Sequence, residues 1–155
     1  MKIAFGENRL TRKWSNGVIE LEELRERLKH PLRTAETVDE YHKMKPSGRS
    51  IAKDHGGFVG GELKDGQRKA STVVSRSMLT MDADNVSRDF LESYKVLSPY
   101  ETLIYSTHSH VPGRPRLRMI LPLSRDISPD EYQAVTRLYA AELGINQFDP
   151  CSFIP

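Results

Sequence analysis

Met78-Leu79-Thr80-Met81-Asp82-Ala83-Asp84 is the stretch whose reading decides the fold. Successive side chains on a strand point to opposite faces, so residues two apart share a face. Leu79, Met81 and Ala83 form an apolar face, and Thr80, Asp82 and Asp84 form a polar one. A strand of this kind needs a core on one side and leaves two carboxylates on the other.

Two later segments are read by the same parity. In Thr102 to His108, Leu103 and Tyr105 lie on one side, and Ser106 and His108 lie on the other. From Arg114 to Leu121, Leu117, Met119 and Leu121 face one way, while Arg114, Arg116 and Arg118 face the other. Were the three strands neighbours in one sheet, acids, histidine and arginines would converge.

Such a convergence suits nucleotidyl transfer. Hard divalent cations such as Mg²⁺ and Mn²⁺ take oxygen ligands, and two carboxylates on one face can hold one or two of them. A metal pair about 3.5–4 Å apart clamps the attacking and leaving oxygens of a phosphoryl displacement. Arginines bind phosphates in bidentate fashion, and a histidine can donate a hydrogen bond to the same phosphates. Each piece also has a plainer reading as a solvated strand end or the wet face of a sheet.

Working outward, residues 2–5 read as a short strand. Leu21, Leu24 and Leu28 fall at helical spacing and predict an amphipathic helix over 19–29. Thr37 with Glu40 resembles a capping box opening a helix near Tyr41, and Lys45-Pro46-Ser47-Gly48 breaks that pattern. Glycines 56, 57, 60 and 61 bracket Phe58-Val59 and predict a glycine-edged hairpin. Asp65-Gly66 predicts a turn before a longer strand at 72–84.

Ser87 can cap a helix through Tyr94. Residues 102–108 and 115–123 read as strands around a Pro-Gly loop at 112–113. Ser128-Pro129-Asp130-Glu131 opens the last helix with an N-cap, a first-position proline and a capping-box acid. Tyr132, Val135, Leu138, Tyr139 and Leu143 form its apolar stripe, and Gly144 ends it. Helices mixed with hairpins predict an α+β domain with helices packed on a largely antiparallel sheet.

At 155 residues the chain fits one domain, residues 1–155. Charged residues make up 28%, yet the net charge is only +2, so nucleic-acid binding depends on where the basic residues cluster. They cluster in Arg114-Pro115-Arg116-Leu117-Arg118 and from Arg68-Lys69 to Arg76, a stretch able to contact a template strand. A single cysteine, Cys151, excludes an internal disulfide and a Cys-rich zinc site. The lack of a long apolar run or signal peptide predicts a cytoplasmic protein with no membrane partner.

The chain resembles the archaeo-eukaryotic primase superfamily, in particular the primase-like domains of phage and plasmid replication proteins. Those domains often precede a helicase of the virulence-associated E or poxvirus primase-helicase type. Three short motifs carry the resemblance: Leu79-Thr80-Met81-Asp82-Ala83-Asp84, Ser106-Thr107-His108, and Phe148-Asp149.

The resemblance implies a primase-polymerase core with an RRM-like catalytic sheet that synthesises or extends primers. Asp82, Asp84 and Asp149 would bind Mg²⁺ or Mn²⁺, with His108 beside them at the incoming nucleotide. Ser106, His110, Arg116, Arg118 and Arg76 are the candidate substrate-binding residues. The implied partners are nucleoside triphosphates, a single-stranded DNA template and a replicative helicase. Relatives continue past the third motif into another arginine and a closing strand, so a domain shortened at its C-terminal side is expected.

Two other functions fit parts of the sequence. His108-Ser109-His110 imitates the histidine pair of rolling-circle initiators and relaxases, with Tyr132 or Tyr139 as nucleophile. That reading leaves Asp82 and Asp84 without a task. An inactive primase-like module that binds nucleic acid is the other alternative.

Overall fold

Residue 79 to residue 83 and residue 117 to residue 121 set the centre of the molecule. The computed structural model describes residues 1–155. Strand β5 (Val73–Ala83) pairs antiparallel with β7 (Leu117–Ile127), with Leu79 opposite Leu121, Met81 opposite Met119 and Ala83 opposite Leu117. These side chains lie on one face and are buried with Phe90, Tyr94, Tyr132, Tyr139, Ala140, Phe148 and Phe153. Large apolar groups on one sheet face thus draw two helices over it, α4 (Phe90–Leu97) and α5 (Pro129–Leu143).

The sheet is completed by β4 (Gly61–Leu63) and β6 (Leu103–Ser106) in the order β4-β5-β7-β6, all antiparallel. A second antiparallel sheet, ordered β2-β1-β3, contains β1 (Lys2–Gly6), β2 (Ser15–Val18) and β3 (Gly57–Val59). With α1 (Leu21–Lys29) it covers part of the larger sheet's other face, where Ile3, Ile19, Leu24, Met78 and Ile120 form a smaller core. The fold is therefore α+β, with helices packed on an antiparallel sheet. No helix is long and apolar enough to cross a membrane.

Several elements follow from local chemistry. Helix α2 (Val38–Lys43) opens with the expected capping box: Thr37 Oγ1 accepts from Glu40 N, and Glu40 Oε2 accepts from Thr37 N at 2.7 Å. Ser128 and Glu131 do the same for α5. Asp65 and Gly66 both adopt positive φ, as the predicted turn requires.

Other elements differ from the expectation. Helix α2 does stop before Pro46, as expected, but Pro46 also begins a further helix, α3 (Pro46–Ala52), because a first-turn proline has no N–H to lose. Helix α4 starts at Phe90, after a Ser87 turn, rather than at Ser87. The glycine-edged segment is not a hairpin: β3 joins the small sheet and β4 joins the large one. A Cβ on Gly60 would meet Met78 Cγ at 2.1 Å, and one on Gly61 would meet Ser75 O at 2.0 Å. The glycines let the chain pass between sheets at close range.

The buried stripe of α5 also shifts. Tyr132, Thr136, Tyr139 and Ala140 are buried, whereas Val135 and Leu138 are exposed. Thr136 enters the interior because its hydroxyl donates to Tyr132 O at 2.6 Å, leaving no unpaired polar group.

Candidate functional site

Asp82 lies one residue from the end of β5, opposite Arg118 on β7, which in turn lies opposite Tyr105 on β6. The three share the face away from α4 and α5. Arg118 grips Asp82 in a fork, Nε to Oδ1 at 2.6 Å and Nη2 to Oδ2 at 2.9 Å. Burial acts against the charge on Arg118, but hydrogen bonding to Asp82 and the neighbouring Tyr105 outweigh it and hold the guanidinium charged. Burial likewise pushes the Tyr105 phenol up.

Asp84 lies just past the strand and accepts from Arg116 Nη1 at 2.9 Å. The Arg116 backbone N–H donates to His110 Nδ1 at 3.2 Å, and its carbonyl accepts from Thr107 N at 2.9 Å. With Nδ1 as acceptor, neutral His110 carries its proton on Nε2. Two aspartate–arginine pairs thus follow one another, Asp82 on β5 with Arg118 on β7, and Asp84 just past β5 with Arg116 just before β7.

The strand edge beside Asp82 is closed by the C-terminal segment. Beyond Met78 β5 has no strand neighbour on that side, and its backbone groups find other partners. Asp82 N donates to Ser152 Oγ at 2.8 Å, and Asp149 N donates to Asp82 O at 2.8 Å. The Tyr132 hydroxyl lies 3.1 Å from both Thr80 O and Ser152 O. Residues 148–155 therefore fold back along the site. The Asp149 carboxylate turns into its own short 3-10 turn and accepts from Cys151 N at 2.7 Å.

The sequence-derived residues accordingly fall into separate groups. Asp82 with Arg118, and Asp84 with Arg116 and His110, are brought together. Asp149 is tied to Asp82 through the backbone. His108 lies further out, its Nε2 3.3 Å from Glu36 Oε1 and its ring packed edgewise on Tyr41 with centroids 4.5 Å apart. Tyr41 and Ser109 hydroxyls meet at 3.0 Å, which ties α2 to this loop.

Ser106 is a correction. Its cross-strand partner is Leu117, so it lies on the face of the helices, and Tyr105 takes the place beside Arg118. Parity along one strand orders its residues but cannot say which set meets the neighbouring strand's polar face. Arg76, read as the end of a basic stretch able to contact a template strand, is instead 4% exposed, with its guanidinium 4.1 Å over the Tyr132 ring. The tyrosines proposed as nucleophiles are buried as well, and the Tyr139 hydroxyl bonds Tyr94 and Ser98.

A cleft of about 380 Å³ opens beside Asp82 and Arg118, bounded by β3, β4, the 68–73 segment and residues 151–155. Its volume falls in the range of small-molecule sites. No three His, Cys, Asp or Glu side chains gather there or elsewhere as a metal-binding group. Oxygen donors of the type a hard cation takes are nonetheless present in Asp82 and Asp84. Both oxygens of Asp82 accept from Arg118, so a cation at this carboxylate would share it with Arg118 through the remaining lone pairs or displace it.

Tyr105, Glu36, Tyr41 and Ser152 were not foreseen as parts of this region. Only Tyr105 left a signal, its position two residues from the apolar Leu103 at the end of a strand. Comparison with curated proteins and with solved structures gives no match in either case. The VapE N-terminal domain family matches residues 1–155 and is associated with phage and plasmid replication. By a match that runs over every residue of the fold just described, the chain belongs to the VapE N-terminal domain family.

Proposed function

We propose that the domain is a metal-dependent nucleotidyltransferase of the primase-polymerase type, making or extending primers on a single-stranded DNA template during phage or plasmid replication. The observation that carries this reading is the pairing of Asp82 with Arg118 in the wall of the cleft, with Asp84 paired to Arg116 just past the end of the same strand. Carboxylates and guanidiniums held in contact are partners for a cation and for phosphates, respectively, and each partner releases the other.

In this reading Asp82 and Asp84 would hold Mg²⁺ or Mn²⁺, and Asp149 would join them only by turning its carboxylate away from Cys151 N. A bound divalent cation supplies Lewis-acid stabilisation of the charge that develops on phosphate oxygens. Arg118 and Arg116 exchange their carboxylate partners for the triphosphate, which their planar forks match. His110, anchored by Arg116 N, presents Nε2–H as a further donor, and His108 lies at the outer end of the same loop. The bond formed joins a primer 3′-hydroxyl oxygen to the α-phosphorus. The bond broken releases pyrophosphate, and the hydroxyl proton passes to water. A replicative helicase is the partner this activity would serve.

The test is incorporation of labelled nucleotide on a primed single strand with Mn²⁺. Asp82→Ala should lose incorporation by a factor of about 100 or more while remaining folded. Activity retained in folded Asp82→Ala would remove Asp82 from the reaction. One observation favours a second reading, a nucleic-acid-binding module without catalysis: the carboxylates already have cationic partners within the chain. Strand binding that ignores both metal and nucleotide would select it.

A further inference from the structure

Arg76 is the one arginine of the interior, and its surroundings lack what a buried cation needs. Of its nitrogens, Nη2 donates to Thr80 Oγ1 at 2.6 Å and to the Tyr132 hydroxyl at 3.3 Å, while the buried Nε has no partner. None of the ion pairs in the chain includes it, although Arg116, Arg118 and Arg125 all have carboxylates. Burial pulls its guanidinium below the ordinary value, and only Tyr132 acts in the other direction. A buried charge without a counter-charge is destabilising unless an anion completes it.

The cleft beside Arg76 has the sign such an anion requires. Arg68, Lys69, Arg76 and Arg118 line it against a single acidic side chain, Asp82, which Arg118 already neutralises. Tyr132 forms a fixed platform under the Arg76 guanidinium, because its hydroxyl is held between Thr80 O and Ser152 O. Arg68 is itself steadied over the Trp14 ring at 5.0 Å.

We propose that this cleft is a phosphate subsite anchored by Arg76, with Arg68 and Lys69 at its mouth, that binds a phosphate group without a metal ion. Its cluster of cations favours the more highly charged phosphates of a free nucleotide or the terminal phosphate of a strand over the singly charged phosphates of a continuous backbone. The subsite shares a wall with the proposed nucleotidyltransferase site but rests on Arg76, to which the steps proposed above assign no role.

Pyrophosphate is the probe, titrated calorimetrically into the protein in the presence of a chelator. Wild type should bind it. Arg76→Met should weaken binding roughly tenfold or more, the loss of a charge-assisted contact. Arg76→Lys keeps the charge but not the fork and should fall between them, and it covers the case in which Arg76→Met fails to fold. Asp82→Ala should bind pyrophosphate no more weakly than wild type, even where it loses metal-dependent nucleotide binding. That contrast separates failure of the subsite from failure of the proposed function.

Displacement of pyrophosphate by dATP, or by a 5′-phosphorylated but not an unphosphorylated oligonucleotide, supports the subsite and identifies the source of the phosphate. Equal displacement by both oligonucleotides would overturn it in favour of a backbone groove. No metal-free binding by wild type, or undiminished binding in folded Arg76→Met and Arg76→Lys, would overturn it outright.

Discussion

Arg118 shows how one residue can serve both the resting fold and the proposed chemistry. Its fork holds Asp82 from across the sheet, yet the two side chains are 39% and 33% exposed, so the pair sits in the cleft wall. A pair this wet is worth at most about 1 kcal/mol to the fold. Arg118→Lys should therefore shift the unfolding midpoint little. Triphosphate affinity should fall roughly tenfold, because an ammonium cannot reproduce the planar double contact. Parallel thermal and calorimetric titrations check both parts. At the same scale, the alternation around Asp82 was legible because a strand has a strict two-residue period. The burial of Arg76 was not, since it depends on Tyr132 arriving from a helix 56 residues later.

At the scale of elements, the start of α5 was the clearest sequence signal, and it carries a testable pH dependence. Arg125 Nη2 donates to Glu131 Oε1 at 2.6 Å, and Ser128 N donates to Glu131 Oε2 at 2.8 Å. These bonds, the Arg125 one foremost, lower the Glu131 carboxyl from 4.5 to about 2. The folded value lies below the unfolded one, so the stabilisation is complete above 4.5 and is lost as pH falls toward 2. Glu131→Gln should be less stable than wild type at neutral pH. The gap should narrow as pH drops through that window, as read from denaturant midpoints. A gap independent of pH would separate Glu131 from this linkage.

Elements made by long-range pairing were harder to read. Strand β2, Ser-Asn-Gly-Val, is exposed throughout and has no alternating pattern; it exists because β1 offers it an edge. The β3–β4 segment looked like a hairpin because its glycines mark tight geometry. What they permit is close passage past Met78 and Ser75, which no local pattern encodes.

For the molecule as a whole, the large sheet carries a helix-covered core on one face and shares the other between the small sheet and the cleft. Residues 148–155 link these parts, placing Phe148 and Phe153 in the main core while Ser152 and Asp149 bond the backbone of Asp82. Phe153→Ala should cost about 3–5 kcal/mol and loosen the Asp82 edge with it. Leu138→Ala, at a position 66% exposed, should stay within about 0.5 kcal/mol in the same unfolding experiment.

The central claim is that Asp82 and its arginine partner form a nucleotide site that a divalent cation completes. Calorimetric binding of a nucleoside triphosphate, with and without Mn²⁺, to wild type and Asp82→Ala tests it most directly. The reading predicts tight binding only when both Mn²⁺ and Asp82 are present. Binding by a folded Asp82→Ala protein equal to wild type in Mn²⁺, or no metal-dependent binding by wild type, would contradict it.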